Sequence, residues 1–151
     1  MTTSINELIE KMAFTMIDTS LPDDWTHVSA IYFSVVRYSR LGIYYYQLDN
    51  NEGNLYYPGD ELPYSQRPFS LFTNLRQEMA KINEGKGAWY IAKMEIQKNG
   101  KFNIQFDYDN KPDLSFEIPD EVFIEDFEQF PRDEKYIPDW LREILVRYGK
   151  L

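Results

Sequence analysis

Cysteine is missing from the 151 residues of this sequence, and histidine occurs once. Without cysteine there is no disulfide scaffold, no thiolate metal site and no cysteine nucleophile, and the chain suits a reducing compartment. The single histidine, His27, would have to take part in any Ser-His-Asp triad. It lies at the entrance of a predicted strand, where a structural or surface role is favoured.

Long apolar runs are missing as well. No segment approaches the roughly 18 residues of a membrane span, and the N-terminus lacks the basic and apolar regions of a secretory signal. Lys and Arg number 16 against 25 Asp and Glu, and the net charge of −9 argues against ordinary nucleic-acid binding. We therefore expect a soluble, acidic, cytoplasmic protein that binds neither nucleic acid nor membrane. Its length predicts one domain, residues 1–151.

Hydrophobic spacing predicts the order of helices and strands. A first helix is expected over residues 4–18, where Ser4 and Glu7 form a capping-box pattern, and a second over 70–83. A helical or irregular stretch at 120–130 and a helix beginning at Pro138 follow. Strands are expected at 29–37, 41–48, 54–57, 92–97 and 102–108, with a further short strand at 114–118.

Turn patterns connect the predicted strands. Ser39-Arg40 and the stretch from Asn50 to Gly53 are predicted turns, and Asn99-Gly100 matches the two-residue type I′ hairpin turn. Tight turns join antiparallel neighbours, so the sequence predicts an α+β fold. We expect an antiparallel β-sheet of about five to six strands, with an N-terminal helix, a central helix and C-terminal helices packed against one face. The Asn99-Gly100 hairpin is expected to be central to the fold.

The negative charge is concentrated in one part of the sequence. Between Asp107 and Asp139 there are twelve acids and three bases, a difference of nine, so the rest of the chain is neutral. Phenylalanines are interleaved with these acids, which is more typical of a contact surface for a cationic partner than of a solvating tail. The alternative is a solvated face that maintains solubility. The candidate partner-binding residues are Asp107, Asp109, Asp113, Glu117, Asp120, Glu121, Glu125, Asp126 and Glu128.

Motifs for catalysis or metal binding are incomplete. The calcium-loop pattern that begins at Asp107-Tyr108-Asp109 fails, because Lys111, Pro112 and Ile118 occupy positions of ligands and of the glycine. Gly85-Lys86-Gly87 lacks the remainder of a phosphate-binding loop. We therefore predict a non-enzymatic protein with no catalytic residue, no metal and no cofactor. A hydrolase that uses a carboxylate pair, or a metal held by oxygen ligands, stays the less favoured alternative.

Several distinctive stretches follow one another along the chain. They are Leu21-Pro22-Asp23-Asp24-Trp25 with Val28, Tyr44-Tyr45-Tyr46 with Gly53, Leu75 with Met79, Trp89, the hairpin end from Gly100 to Asp109, and Trp140. In this arrangement the chain resembles the YezG-type immunity (antitoxin) proteins, small acidic cytoplasmic partners of bacterial polymorphic and contact-dependent toxins. The resemblance covers most of the chain, and its matching positions are mainly turn glycines and core aromatics.

The resemblance implies a function. Such a protein binds the C-terminal domain of a cognate toxin, often a nuclease, and blocks it inside the producing cell. A nuclease presents a cationic cleft to phosphate, so an acidic surface is a natural competitor for that cleft. The alternative is a soluble acidic interaction module for another basic partner. The oligomeric state stays open.

Overall fold

The computed structural model describes residues 2–151, with side chains from residue 5 onward. This part of the chain contains four α-helices, five β-strands and two short 3-10 helices. The α-helices are α1 (Thr2–Thr15), α2 (Pro68–Ile82), α3 (Asp120–Gln129) and α4 (Asp139–Arg147). The strands are β1 (Trp25–Val35), β2 (Tyr38–Gln47), β3 (Asn50–Leu55), β4 (Ile91–Gln97) and β5 (Phe102–Asp107). The 3-10 helices are Tyr64–Gln66 and Glu134–Tyr136.

The five strands form one sheet in the order β3-β2-β1-β4-β5, and every neighbouring pair is antiparallel. Tight hairpins join β1 to β2, β2 to β3 and β4 to β5, as expected for antiparallel neighbours. The α+β class and the antiparallel sheet predicted from the sequence are confirmed. The central strand is β1, whereas the β4–β5 hairpin lies at one edge, so the prediction of a central hairpin is wrong.

One face of the sheet packs against α1 and α2. Val28, Ala30 and Tyr32 are buried on this face, because alternate residues of a strand point to the same side. The fully buried ring of Tyr32 stacks on Phe72 of α2 at 5.1 Å, and it meets the Trp89 ring edge-on at 5.9 Å. Aromatic packing therefore fills this first core.

The helices α3 and α4 belong to a second core. Ile31 and Phe33, which alternate with the first-core residues of β1, pack against this cluster, together with the buried side chains of Phe123 and Leu141. The helices therefore do not all lie on one face, and the prediction that they do is wrong. The physical reason is that β1 carries apolar side chains on both faces, and one end of the second face is covered by the C-terminal part of the chain.

The turn between β1 and β2 lies earlier than predicted. Val35 pairs with Tyr38, so the turn is Val36-Arg37, and the φ angle at Arg37 is 76°. The predicted turn at Ser39-Arg40 is wrong because Ser39 pairs with Ser34 inside the ladder, where the two hydroxyls are hydrogen bonded at 2.9 Å.

The turn between β2 and β3 also differs from the prediction at Asn50 to Gly53. It is formed by Leu48-Asp49, and the φ angle of 62° at Asp49 is one that aspartate tolerates. Gly53 lies inside β3 below the Tyr46 ring, and a Cβ at this position would lie 3.0 Å from ring atoms. The glycine therefore permits close approach of a ring rather than a turn.

The turn between β4 and β5 is a three-residue loop, 98–100, rather than the predicted type I′ turn. The N–H of Gly100 donates to the Gln97 carbonyl at 2.8 Å, and the N–H of Gln97 donates to the Lys101 carbonyl at 2.8 Å. A type I′ turn needs positive φ at both central residues, but in this loop only Gly100 has it, with φ of 89°. The glycine closes the loop as a bulge.

The predicted strand at 114–118 is absent, and the described residues 108–119 form a loop. The Oδ1 atom of Asp113 accepts the N–H of Ser115 at 3.0 Å, and Ser115 has a φ of 67°, which interrupts an extended strand. Leu114 and Ile118 are buried in the second core. Their apolar character reflects anchoring of the loop, which sequence alternation alone does not distinguish from a strand.

The first helix ends at Thr15, three residues before the predicted end at 18, and it begins at Thr2 rather than Ser4. The proposed capping contact of Ser4 with Glu7 lies outside the described side chains. Met12 and Met16 are fully buried, as the predicted apolar stripe requires.

Candidate partner-binding surface

The nine predicted contact residues occupy the end of β5, the loop 108–119 and α3. Asp107 is the last residue of β5, and the loop carries Asp109, Asp113 and Glu117. The exposed members are Asp109, Asp113, Glu117, Glu121 and Glu128; the half-buried ones are Asp107, Asp120 and Glu125; Asp126 is buried. The structure thus brings eight of the nine to accessible positions on neighbouring elements.

Asp107 organises the start of the loop. Its Oδ1 atom accepts the backbone N–H groups of Asp109 and Asn110, at 2.9 and 3.0 Å, and its Oδ2 atom accepts the Asn110 side-chain amide at 2.7 Å. Partial burial acts to raise the pKa of Asp107, but the hydrogen bonds from Asn110 and Asp109 together outweigh it, and the pKa is lowered. The carboxylate is therefore engaged within the loop.

Side chains from other elements hold the rest of the loop. Arg40 of β2 donates two hydrogen bonds to the carbonyl of Asp113, at 3.1 and 2.7 Å. The indole of Trp140 donates to the carbonyl of Asp109 at 2.6 Å. The Phe116 ring meets the Tyr38 ring of β2 edge-on at 5.2 Å. The acidic loop is thus fixed to the sheet and to α4.

Helix α3 presents acids on one side and apolar residues on the other. Val122, Phe123 and Ile124 are buried. Asp120 and Glu121 lie in the first turn, where the helix dipole favours negative charge. The stretch predicted at 120–130 as helical or irregular is therefore a helix with an acidic outer side.

Asp126 does not belong to this outer side. Its carboxylate accepts two hydrogen bonds from the Arg76 guanidinium of α2, at 2.9 and 3.0 Å, and one from the N–H of Val36 at 2.8 Å. Arg76 also donates to the carbonyl of Trp89 at 2.7 Å. Because the Asp126 side chain is 3% exposed, a partner could not reach it, and we correct its assignment from contact residue to structural residue.

A family model described as "Immunity protein YezG-like" matches residues 5–138. The match covers most of the chain, including β1–β5, the acidic loop and α3. The chain belongs to the YezG-like immunity protein family. Membership confirms the resemblance found in the sequence and indicates a toxin-neutralising role. No curated protein matches the chain at a significant level.

The acidic segment of this YezG-like protein, residues 107–139, is partly neutralised by basic residues from other parts of the chain. Six of them form ion pairs with acids of the segment. The pairs are Arg37–Glu125, Arg40–Asp113, Arg76–Asp126, Arg142–Glu134, Arg147–Asp120 and Lys150–Glu128. In the folded protein, these ion pairs compensate part of the negative charge of the acidic segment. Negative charge is also present on other surfaces.

The ion pair between Arg37 and Glu125 shifts the pKa of both side chains. Arg37 and Glu125 are 2.6 Å apart in a two-bond contact at the surface. The hydrogen bond from Arg37 lowers the pKa of Glu125, and the hydrogen bond to Glu125 raises the pKa of Arg37. Such an exposed pair adds little to stability, but it leaves Glu125 less available to a partner.

Three exposed carboxylates of the predicted set have no basic side chain within 4.0 Å among the residues that the structure describes. They are Asp109, Glu117 and Glu121. Asp109 and Glu117 lie on the anchored loop, and Glu121 lies at the start of α3. These three carboxylates form the free acidic set of the immunity protein.

The single histidine of the immunity protein packs within the sheet. The His27 ring stacks on the Tyr46 ring with centroids 4.3 Å apart, and its Nδ1 atom lies 3.0 Å from the Thr26 hydroxyl. Within the described residues, no group of three or more histidine and acidic side chains is arranged to hold a metal ion. The helices found there are all too short or too polar to span a membrane.

Proposed function

We propose that this immunity protein binds and neutralises a cognate bacterial toxin domain in the cytoplasm, without catalysis of its own. The toxin domain is a basic one, of the nuclease type found in contact-dependent and polymorphic toxin systems. The observation that carries this proposal is the membership of the family, which covers residues 5–138. The anchored acidic surface supplies the chemistry of contact.

The free acidic set suits a cationic partner. A nuclease presents Lys and Arg to the phosphate backbone, and carboxylates on a rigid support compete for the same groups. Asp109 and Glu117 are held on a loop whose carbonyls are bonded to Arg40 and Trp140. Because the loop is already ordered, binding costs little conformational entropy.

The whole protein contributes to the encounter. The net charge of −9 gives a field that attracts a cationic domain and raises the association rate, and this effect falls as salt is added. Blocking a cleft requires shape and charge complementarity, and it needs no reactive group in the immunity protein.

Co-expression tests this proposal. The C-terminal toxin domain encoded beside the gene of this chain is expressed with and without the chain, and growth is measured. We expect growth to be rescued by the wild-type chain. A toxin domain that stays equally toxic in the presence of folded chain would contradict the proposal.

A set of variants tests the acidic surface separately. Asp109→Asn, Glu117→Gln and Glu121→Gln together should slow association about ten-fold or more at low salt and make the rate less salt-dependent. The matched control removes three exposed acids elsewhere, with Glu7→Gln, Glu10→Gln and Glu84→Gln. If both sets change the rate equally, only the net charge matters and the acidic surface has no special role.

A further inference from the structure

A second acidic segment lies in the middle of the sequence, and two of its tyrosines, Tyr57 and Tyr64, are exposed. Residues 41–66 contain no Lys, Arg or His, but they hold four acids and six of the twelve tyrosines. They form most of β2, all of β3 and the following loop. Tyrosine is enriched at protein interfaces because its ring buries a large area while its hydroxyl bonds to polar partners.

Large apolar side chains are exposed along this segment. Leu55 is 53% exposed and Tyr57 is 71% exposed, although both are bulky. Leu48 and Tyr64 are 64% and 65% exposed in the same stretch. We call residues 48–64 the β3 edge. A concentration of exposed apolar groups of this kind marks an interaction surface more often than a solvated one.

A shallow groove adjoins the β3 edge. Its walls include Leu41 of β2, the exposed Leu55 and Tyr57, and Phe69 of α2. The lining is mostly apolar, and its two charged residues are Asp60 and Arg67. A side chain from a partner could therefore be buried there while its charged end reaches an acid.

The outer side of β3 is unpaired in the described residues, because β3 pairs only with β2. The strand contains neither proline nor lysine, which commonly protect such edges, and Glu52 is its one charged residue. An extended segment of another protein could add to this edge through backbone hydrogen bonds. The carboxylate of Glu52 would favour a basic segment over an acidic one.

The acids of the β3 edge form no ion pair with the basic side chains that the structure describes. Asp49, Glu52, Asp60 and Glu61 are exposed, and in the described residues no basic side chain lies within 4.0 Å of them. The nearest arginine in the sequence, Arg67, donates to the carbonyls of Leu62 and Asp60 at 3.0 and 2.8 Å. The guanidinium is thus bonded to backbone oxygens.

We infer that the β3 edge is a docking surface for a cationic segment of a partner protein, and that this partner is the toxin domain. The identity of this partner as the toxin domain rests on the proposed function. A second copy of this chain is disfavoured as occupant, because each copy would bring four uncompensated acids to the contact and a net charge of −9.

The β3 edge is linked to the acidic loop by β2. Tyr38 at the start of β2 contacts Phe116 of the loop, and Leu41 lines the groove beside Tyr57. Tyr38 and Leu41 are three residues apart in an extended strand, so their side chains point to opposite faces of the sheet. The groove beside Leu41 and the contact of Tyr38 with the acidic loop therefore lie on opposite faces.

Two variants of the whole chain test this inference. One replaces apolar contacts, with Leu55→Ser and Tyr57→Ser, and its control is Phe14→Ser, since Phe14 on α1 is 83% exposed. The other removes charge, with Asp49→Asn, Glu52→Gln, Asp60→Asn and Glu61→Gln. Its control is the set Glu7→Gln, Glu10→Gln, Glu84→Gln and Glu143→Gln, which carries the same charge change. Circular dichroism checks that each variant is folded.

Binding of each variant to the toxin domain encoded beside the gene is measured by surface plasmon resonance at two salt concentrations. We expect the apolar variant to raise Kd about thirty-fold or more and Phe14→Ser to leave it unchanged. The charge variant should slow association about ten-fold at low salt, and more than its control does. If wild type binds and both variants match their controls, the inference is overturned while the proposed function stands.

Two other outcomes would also overturn the inference. If the wild-type chain fails to bind the toxin domain, the proposed function fails, and this inference fails with it. If sedimentation shows that the chain forms a dimer that Leu55→Ser and Tyr57→Ser abolish, the edge serves self-association, and the cationic partner is the wrong occupant.

Discussion

Loss of the Asp126 carboxylate should destabilise the protein strongly. In the Asp126→Ala variant, the Arg76 guanidinium stays buried without its anion, and the N–H of Val36 loses its acceptor. Removing one partner of a buried ion pair costs about 3–5 kcal/mol. Domains of this size have a total free energy of unfolding of about 5–15 kcal/mol, so the loss is a large fraction of it.

A matched pair of variants separates burial from charge. Glu125 is the neighbour of Asp126 on α3, and its ion pair with Arg37 is exposed. Glu125→Gln should therefore change the free energy of unfolding by less than about 1 kcal/mol. Replacing both members of the buried pair, with Arg76→Met and Asp126→Leu, should recover most of the loss, because no unpaired charge remains.

Urea unfolding followed by tryptophan fluorescence measures these effects. A cost below about 1 kcal/mol for Asp126→Ala would contradict the structural role of the buried pair. A double variant whose loss equals the summed losses of Arg76→Met and Asp126→Leu, each measured alone, would also contradict this role, because a coupled pair must show a large interaction energy in the cycle.

Three further changes have defined outcomes. Phe106→Ala should cost about 2 kcal/mol, less than a fully buried ring, because Phe106 is half-buried against Trp89 at 5.3 Å; urea unfolding should not give under about 1 kcal/mol. Gly53→Val should cost about 1–3 kcal/mol in thermal unfolding, because the new side chain meets the Tyr46 ring; an unchanged Tm would show that the ring moves freely. Asp107→Asn should lower stability at neutral pH. Because the folded pKa of Asp107 is lowered, its contribution is present above the ordinary value of 3.8 and disappears as pH falls through the folded value. A difference between wild type and Asp107→Asn that stays constant down to about pH 2 would contradict this assignment.

Secondary structure was predictable where local patterns act alone. The apolar stripe of α2 and the alternation in β4 and β5 depend on neighbours within a few residues, and these elements lie close to the predicted positions. The predictions of turns at Ser39-Arg40 and at Asn50 to Gly53 were wrong because contacts between strands decide these positions. Ser39 pairs with Ser34, and the Tyr46 ring lies over Gly53. Residue type alone does not reveal such contacts.

The roles of charged residues were less predictable. Arg76 lies four residues after Phe72 on the buried stripe of α2, and Asp126 lies three residues after Phe123 on that of α3. Opposite charges on two apolar stripes are a signal that could have indicated the buried pair. The exposed pairs give no such signal, because the partner of Glu125 lies 88 residues earlier in the chain. The free acidic set therefore emerges only from the folded arrangement.

Neutralisation of a toxin domain by direct binding can be measured with purified proteins. The most direct measurement is a titration of the toxin domain encoded beside the gene with the purified chain, following degradation of nucleic acid. We expect degradation to stop once the folded chain is stoichiometric with the toxin, and we expect added salt to weaken the inhibition. Full nucleic-acid degradation in a large excess of folded chain at low salt would contradict this expectation.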